Sequence, residues 1–390
     1  MQYFFDEIVS RENNNSAKYE ESVLHYGTND LIPLWIADMD FKTCPEIVAA
    51  IKERADQGIF GYTYRTPKYF QAIADWQTRR NGYTPKTTHM AFTPGVIPGM
   101  RILLQMITKP QDKVVISQPV YHPFADIVKN TGRTLVVNPL IQVDGKWQMD
   151  FEDFESKLKD ASLFILCNPH NPVGRVWTVE ELSKIAELCL RYHVPVFSDE
   201  IHADLMLNGS KHTCFASLSP EVEAITTTFT SSSKTFNLAG LQAATMIFPT
   251  VEGKDAYVAQ LRLMDIARNN CFSMEATMAA IRYGEEWLEQ LTDYIADNLK
   301  FIVDFFEAHI PQLKTYVPEA TYLAWVDARA LGLSDEELIP FFAEHAKVGL
   351  TGGTEFGIGG SGYFRLNAAC PRATLEKALA SMEKAVKERK

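Results

Sequence analysis

Short apolar runs alternate with amphipathic helical stretches through the middle of the chain, and this alternation restricts the fold more than any other feature of the sequence. The runs lie at residues 114–116, 135–137, 163–167, 194–197, 225–229 and 243–248, each bounded by turn residues. Runs this short read as strands buried on both faces, as in a parallel sheet. The stretches between them carry helix-start signals. Thr66-Pro67 places a cap and a first-turn proline ahead of Phe70, Ile73, Ala74 and Trp76. Thr178 and Glu181 form a capping box before Leu182, Ile185, Ala186, Cys189 and Leu190. The centre is therefore expected to be α/β, a parallel or mixed sheet covered by helices.

The texture changes after about residue 285. A long helical pattern covers Glu285–His309, followed by a strand-like run at 321–326 and a helix opening at Ser334 with Glu337. A glycine-rich loop at 352–362, a strand around 363–366 and a last helix from Thr374 complete the chain. Few strands flanked by helices predict a second, smaller α+β domain. The expected division is an N-terminal segment over 1–45 packing with the small domain, a large domain over 46–285 and the small domain over 286–390.

The 390 residues carry a net charge of −11. An acidic balance argues against bulk binding to nucleic acid or an anionic membrane, which needs clustered Lys and Arg; a small anionic ligand needs only local charge. No run reaches the ~18 uninterrupted apolar residues of a membrane span. The opening residues lack a basic stretch followed by an apolar run, so no secretory signal is expected. Six scattered cysteines without a CxxC spacing are expected to be buried thiols in a reducing cytoplasm.

Four segments carry candidate chemistry. Ser231-Ser232-Ser233-Lys234-Thr235-Phe236-Asn237 directly follows an apolar run. A lysine among small hydroxylated residues at a strand end suits an amine that forms an imine beside a phosphate, and burial or nearby positive charge would lower its pKa. Taken alone, the segment also reads as an exposed lysine in a serine-rich turn. Asn168-Pro169-His170-Asn171-Pro172-Val173-Gly174 forms an extended turn at a strand's carboxyl end, where open α/β sheets bind ligands. Asn171 there offers an amide to a phenolate or carbonyl oxygen, or the segment is simply a tight turn. Ser198-Asp199-Glu200-Ile201-His202 ends another strand. A carboxylate at that place is costly without a cationic partner, so Asp199 is a candidate to hold a protonated ring nitrogen. Its acid and imidazole neighbours also permit a metal site, but no further ligands complete one. Thr93-Pro94-Gly95-Val96-Ile97-Pro98-Gly99 precedes an apolar helix whose N-terminus offers N–H groups to a phosphate, with Gly95 allowing close approach. It lacks the Gly-Lys-Ser/Thr ending of a Walker loop.

In this order, Gly95, Tyr121, Asn171, Asp199, Lys234 and Arg365 resemble the fold-type-I pyridoxal-phosphate enzymes of the aminotransferase class I/II superfamily, over nearly the whole chain. The resemblance implies a mostly parallel, seven-stranded-type sheet between helices. It implies that Lys234 binds pyridoxal 5'-phosphate as an imine, Asp199 meets the pyridine nitrogen and Asn171 the ring oxygen. Tyr121, in Gln118-Pro119-Val120-Tyr121, would stack on the ring, with His202 also in the cofactor set. The Gly95 and Val96 amides with Ser231 and Ser233 would hold the phosphate. Arg365, in Tyr363-Phe364-Arg365-Leu366-Asn367, would bind the substrate carboxylate in a bidentate pair. Tyr62, in Phe60-Gly61-Tyr62, would reach the phosphate of a second subunit in a homodimer.

Two departures mark a branch. Where the superfamily usually carries an arginine after the lysine, the chain reads Ala239-Gly240-Leu241-Gln242, and His202 stands where tyrosine is usual. With Trp35-Ile36-Ala37-Asp38-Met39-Asp40 and Asn367-Ala368-Ala369-Cys370-Pro371, these features are similar to the MalY/PatB-type cystathionine β-lyases. That branch implies β-elimination from cystathionine, cysteine or cystine to a thiol, pyruvate and ammonia, with Lys234 as base and Lys234 or Tyr121 as acid. Transamination is the alternative, because it shares the proton-abstraction step. A third reading is a regulatory protein that binds another protein, its cofactor chemistry secondary.

Overall fold

The central sheet of the computed structural model, which describes residues 2–268 and 270–389, has eight strands. Their spatial order is Met90–Thr93, Ala244–Ile247, Thr226–Thr230, Val196–Asp199, Ala161–Cys167, Lys113–Gln118, Thr134–Val143 and Lys146–Met149. The strands from Thr226–Thr230 across to Thr134–Val143 run parallel. Antiparallel pairings add the remaining three. All six apolar runs of the sequence lie in this sheet, and the parallel ones are sandwiched by helices as their two-faced burial requires.

The implied seven strands gain an eighth for a local reason. Thr134–Val143 turns back through Asp144-Gly145, both at positive φ (50° and 76°), so that Lys146–Met149 pairs against it. Asp-Gly at two such positions is a favoured two-residue hairpin turn. The capping box at Thr178 forms as expected: the Glu181 N–H donates to its hydroxyl at 3.2 Å and the Thr178 N–H donates to the Glu181 carboxylate at 2.8 Å, opening the helix Val179–Arg191. Thr66 sits at the cap of Pro67–Asn81, but its hydroxyl makes no cap bond. Among the described residues no helix is long and apolar enough to cross a membrane, and all six cysteines are free and buried.

A second sheet joins Leu323–Asp327, Tyr363–Asn367 and Thr351–Gly352 in antiparallel pairs, packed with the helices Glu285–His309 and Arg372–Glu388. Phe5, Leu34, Met39 and Phe41 bury in the same core as Leu291, Leu366 and Leu379. The same core also takes in Ile47, Trp76, Leu205, Phe236 and Ala276 from the 46–285 segment, so it joins all three proposed parts.

Charge fixes the segment at residues 35–40. Lys18 is wholly buried, 2.8 Å from Asp40 and 3.4 Å from Asp38, while Arg11 lies 2.7 Å from Asp38 and 2.8 Å from Asp40. Asn367 Nδ2 donates to the carbonyls of Ile36 (2.7 Å) and Asp38 (2.6 Å). Asn237 accepts from the Met39 N–H at 3.0 Å and donates to the Met39 carbonyl at 2.8 Å. Breaking a buried pair by removing one partner leaves a charge in a poor solvent. Lys18→Met is therefore expected to destabilise the protein by about 3 kcal/mol, seen as a lower denaturant midpoint, with part of the loss restored in Lys18→Met/Asp40→Asn. An unchanged midpoint for the single variant contradicts this.

Candidate active site

The carboxyl ends of the parallel strands open onto a cavity of about 200 Å³. Each strand delivers its functional residue there by chain order. Asp199 is the last residue of Val196–Asp199, Asn171 sits in the turn after Ala161–Cys167, and Tyr121 follows Lys113–Gln118. Lys234 lies on the short helix Ser232–Thr235 that follows Thr226–Thr230, and Val96 opens the helix Val96–Ile107. Val96, Tyr121, Asn171, Asp199, His202 and Lys234 all line the cavity, as six of the residues expected from sequence.

Lys234 Nζ donates to the Ala37 carbonyl at 2.7 Å. Burial, then the positive charge of Arg365, lowers its pKa from the usual lysine range to about 8, against the opposing pull of Asp38 and Asp199. Asp199 is 4% exposed, accepts from the Ile201 N–H at 3.1 Å, and forms no ion pair among the described residues. Burial raises its pKa to about 7, Glu200 adds to the rise, and the Ile201 N–H and Lys234 oppose it. His202 is held neutral, its pKa lowered to about 3 by burial and then by Lys234 and Arg365. Its Nδ1 is buried with no hydrogen-bond partner among the described residues.

Arg365 borders this group from the second sheet. Its guanidinium is buried and donates to Asn171 Oδ1 at 3.2 Å and to the Trp35 carbonyl at 3.0 Å. Nε has no partner, and no carboxylate pairs with Arg365 among the described residues. Burial lowers its pKa, and the phenols of Tyr121 and Tyr322 oppose that shift. The Tyr121 phenol is itself raised, chiefly by burial.

The remaining expected residues are placed less directly. Gly95 caps the helix that Val96 opens. Ser231 caps Ser232–Thr235: its hydroxyl accepts from the Ser233 N–H at 3.0 Å and donates to the Ala243 carbonyl at 2.7 Å. Tyr62 does not line its own chain's cavity; it is 91% exposed, with the Arg268 guanidinium 5.4 Å above its ring. Gln242 is exposed, at positive φ.

The structure adds groups that sequence reasoning missed. The Ala37 carbonyl receives both Lys234 and the Tyr322 hydroxyl, the latter at 2.9 Å. Cys167 and Ile201 also line the cavity, and burial holds the Cys167 thiol far above its ordinary pKa, with Asp199 adding to the effect. A backbone carbonyl carries no residue-type signal, but Cys167 ends an apolar run beside Asn168 and was open to notice.

The lowered amine has a direct consequence. In cofactor-free protein, labelling of Lys234 by fluorodinitrobenzene, followed by peptide mapping, is expected to rise with pH through a midpoint near 8. Arg365→Met is expected to raise that midpoint, because the neighbouring cation no longer disfavours the ammonium form. A midpoint near the ordinary lysine value in the wild type would falsify this account of the site.

Comparison with known proteins places the chain among relatives of one family. Residues 29–382 match the family model described as aminotransferase class I and II. The chain is 43% identical to cystathionine beta-lyase PatB of Bacillus subtilis (strain 168), over 98% of this chain and 99% of that protein. A pyridoxal-phosphate-bound structure from Clostridium difficile 630, provisionally named an aminotransferase, superposes with a TM-score of 0.97 at 47% identity, covering 99% of this chain and 100% of its own. The pyridoxal-phosphate-bound C–S lyase of Staphylococcus hominis superposes with a TM-score of 0.94 at 34% identity, covering 100% of this chain and 99% of its own.

Proposed function

The chain belongs to the aminotransferase class I and II family, and from that premise we propose that it is a pyridoxal-phosphate-dependent carbon–sulfur lyase acting on L-cystathionine by β-elimination. The observation that carries this reading is one cavity lined by an amine of lowered pKa and a buried carboxylate without an ion pair among the described residues, with the buried Arg365 guanidinium at its border on Asn171. The chain holding that cavity matches a named cystathionine β-lyase from end to end.

The residues fit the cofactor on the same observations. Lys234 is the amine that would hold it, Asp199 would keep a proton on its ring nitrogen, and Asn171, Tyr121 and His202, which line the same cavity, would meet the ring. The N–H groups of Gly95 and Val96, at the N-terminus of the helix Val96–Ile107, would bind its phosphate. Ser231 and Ser233 would add hydroxyls, the Ser231 hydroxyl giving up its bond to the Ala243 carbonyl to do so. Bound there, pyridoxal 5'-phosphate supplies an aldehyde that reacts with amines and a ring that draws electron density from Cα.

The chain's own groups do the rest. Arg365 holds the substrate α-carboxylate through a bidentate pair. The neutral Lys234 amine takes the Cα proton, the Cβ–S bond breaks, and the thiolate leaves with a proton from Lys234 or from the Tyr121 phenol. Burial keeps that phenol protonated at neutral pH. Water then completes the conversion of the three-carbon fragment to pyruvate and ammonia, with homocysteine as the thiol.

Gln242 brings no charge to the phosphate, so the site calls for a second copy of the chain. Ile59, Phe60, Tyr62 and Tyr64 are 74%, 61%, 91% and 72% exposed, a largely aromatic apolar strip suited to a homodimer interface that sends Tyr62 into the partner's site. Six unpaired, buried thiols support a cytoplasmic setting.

Incubation of the cofactor-loaded protein with L-cystathionine and no oxo acid is expected to yield pyruvate, homocysteine and ammonia in equal amounts. Turnover that requires an added oxo acid makes the protein a transaminase instead.

A further inference from the structure

Thr321 is buried at a φ of +74°, in the left-handed region that a β-branched residue seldom enters. Such strain persists only where the surrounding structure over-determines it. Here the Thr321 N–H donates to the Leu205 carbonyl at 2.9 Å, and the Leu205 N–H donates to the His202 carbonyl at 2.9 Å. The Thr321 hydroxyl accepts from the Leu323 N–H at 3.2 Å. The turn that enters the strand Leu323–Asp327 is thereby docked on the segment that leaves the cavity at His202.

The strained turn delivers Tyr322. Its side chain is fully buried, its ring stands edge-on to His202 with centroids 6.1 Å apart, and its hydroxyl donates to the Ala37 carbonyl at 2.9 Å. Burial, with Asp38 adding to the effect, raises the pKa of the phenol, so it stays a donor at neutral pH. The same carbonyl accepts from Lys234 Nζ at 2.7 Å, and Ala37 lines the cavity. Asn367 holds the carbonyls on either side, those of Ile36 and Asp38. One backbone oxygen is therefore fixed by a phenol that does not itself line the cavity and presented to the amine that does. An amine donating to a fixed acceptor has fewer directions open to its lone pair, and proton transfer gains from an orientation set in advance.

Resting on the lyase reading's assignment of Lys234 as the base, we propose that Tyr322 is a positioning residue whose hydroxyl fixes the Ala37 carbonyl as the acceptor that aims the free Lys234 amine at the substrate Cα–H bond. Tyr322 forms no bond to the substrate. The proton passes from Cα to Lys234 Nζ, and its bonding pair stays on the Cα side.

L-Alanine isolates this step, because it has no β leaving group. In heavy water the cofactor-loaded wild type is expected to replace the alanine Cα hydrogen with deuterium, as read by NMR: Lys234 takes the proton, exchanges with solvent and returns a deuteron. Tyr322→Phe keeps the ring against His202 and removes one hydroxyl, so the absorbance band of the lysine-bound cofactor is expected to remain. The variant is expected to slow the alanine exchange about tenfold and to lower kcat for cystathionine by a similar factor. Kd for alanine from spectral titration and KM for cystathionine are expected to stay within about twofold, since Arg365 is untouched. Exchange at the wild-type rate overturns the proposal. So does a loss of alanine binding as large as the loss of exchange, which marks Tyr322 as a packing residue alone. No exchange by a wild type that binds alanine removes Lys234 as the base, and the proposal with it. Slowed exchange in the variant, with no pyruvate from cystathionine in the wild type, overturns the lyase reading and leaves the proposal standing.

Discussion

Lys234→Ala is expected to lower turnover of cystathionine by at least about a thousandfold and to remove the absorbance band of the lysine-bound cofactor. The size of the effect follows from the environment of one nitrogen. Burial and the nearby Arg365 bring its pKa to about 8, so about a tenth of the amines are neutral at pH 7, against well under a thousandth for an ordinary lysine. Among the described residues no other lysine lines the cavity. Lys18, the buried lysine of the adjoining segment, is committed to Asp38 and Asp40. An incoming base has no substitute within reach, and Lys234→Arg keeps charge without restoring a titrating amine. Borohydride reduction of the loaded wild type followed by peptide mapping is expected to place the label on the peptide containing Lys234. A label on any other lysine, or a Lys234→Ala variant with near-normal turnover, removes the basis of the mechanism.

The parts of this site visible in the sequence are those where residue type and chain position coincide. Asp199, Asn171 and Lys234 follow apolar runs that become parallel strands, and parallel strands converge at their carboxyl ends, so chain order alone predicted their meeting. The helix boundary at Glu285–His309 was equally legible, because a long amphipathic pattern leaves little freedom of placement. Met90–Thr93 escaped notice because four residues give no periodicity, and Lys146–Met149 because the Asp144-Gly145 turn signal went unused. The segment from Trp35 to Asp40 was legible only as a motif. Its contribution is backbone carbonyls: Trp35 holds Arg365, Ile36 holds Asn367, and Ala37 holds Lys234. No side-chain pattern encodes which carbonyl meets which donor across more than 190 residues of chain, since only the packed tertiary fold brings them together.

Asp199→Asn is expected to lower kcat by about 10²–10³-fold while changing KM little. The carboxylate is 4% exposed, held by a single backbone N–H and unpaired, and its pKa stands near 7 instead of the usual 3.8. A cationic ring nitrogen brought beside it supplies the missing counter-charge and favours the ionised form. Asparagine keeps the shape but cannot hold that proton, so the chemical step slows while Arg365 still binds the substrate carboxylate. The same burial predicts an opposite effect on stability without cofactor. Because the folded-state pKa lies above the unfolded one, the folded protein binds the extra proton between about pH 4 and 7, and the wild type loses stability as pH rises through that window. Asparagine carries no such cost. Cofactor-free Asp199→Asn is therefore expected to melt above the wild type at pH 8, with the gain shrinking as pH falls through 7 toward 4. A variant that is slower but no more stable at pH 8 retains the catalytic role and refutes the burial cost. One that is more stable yet turns over at the wild-type rate shows that Asp199 is a buried acid the reaction does not use.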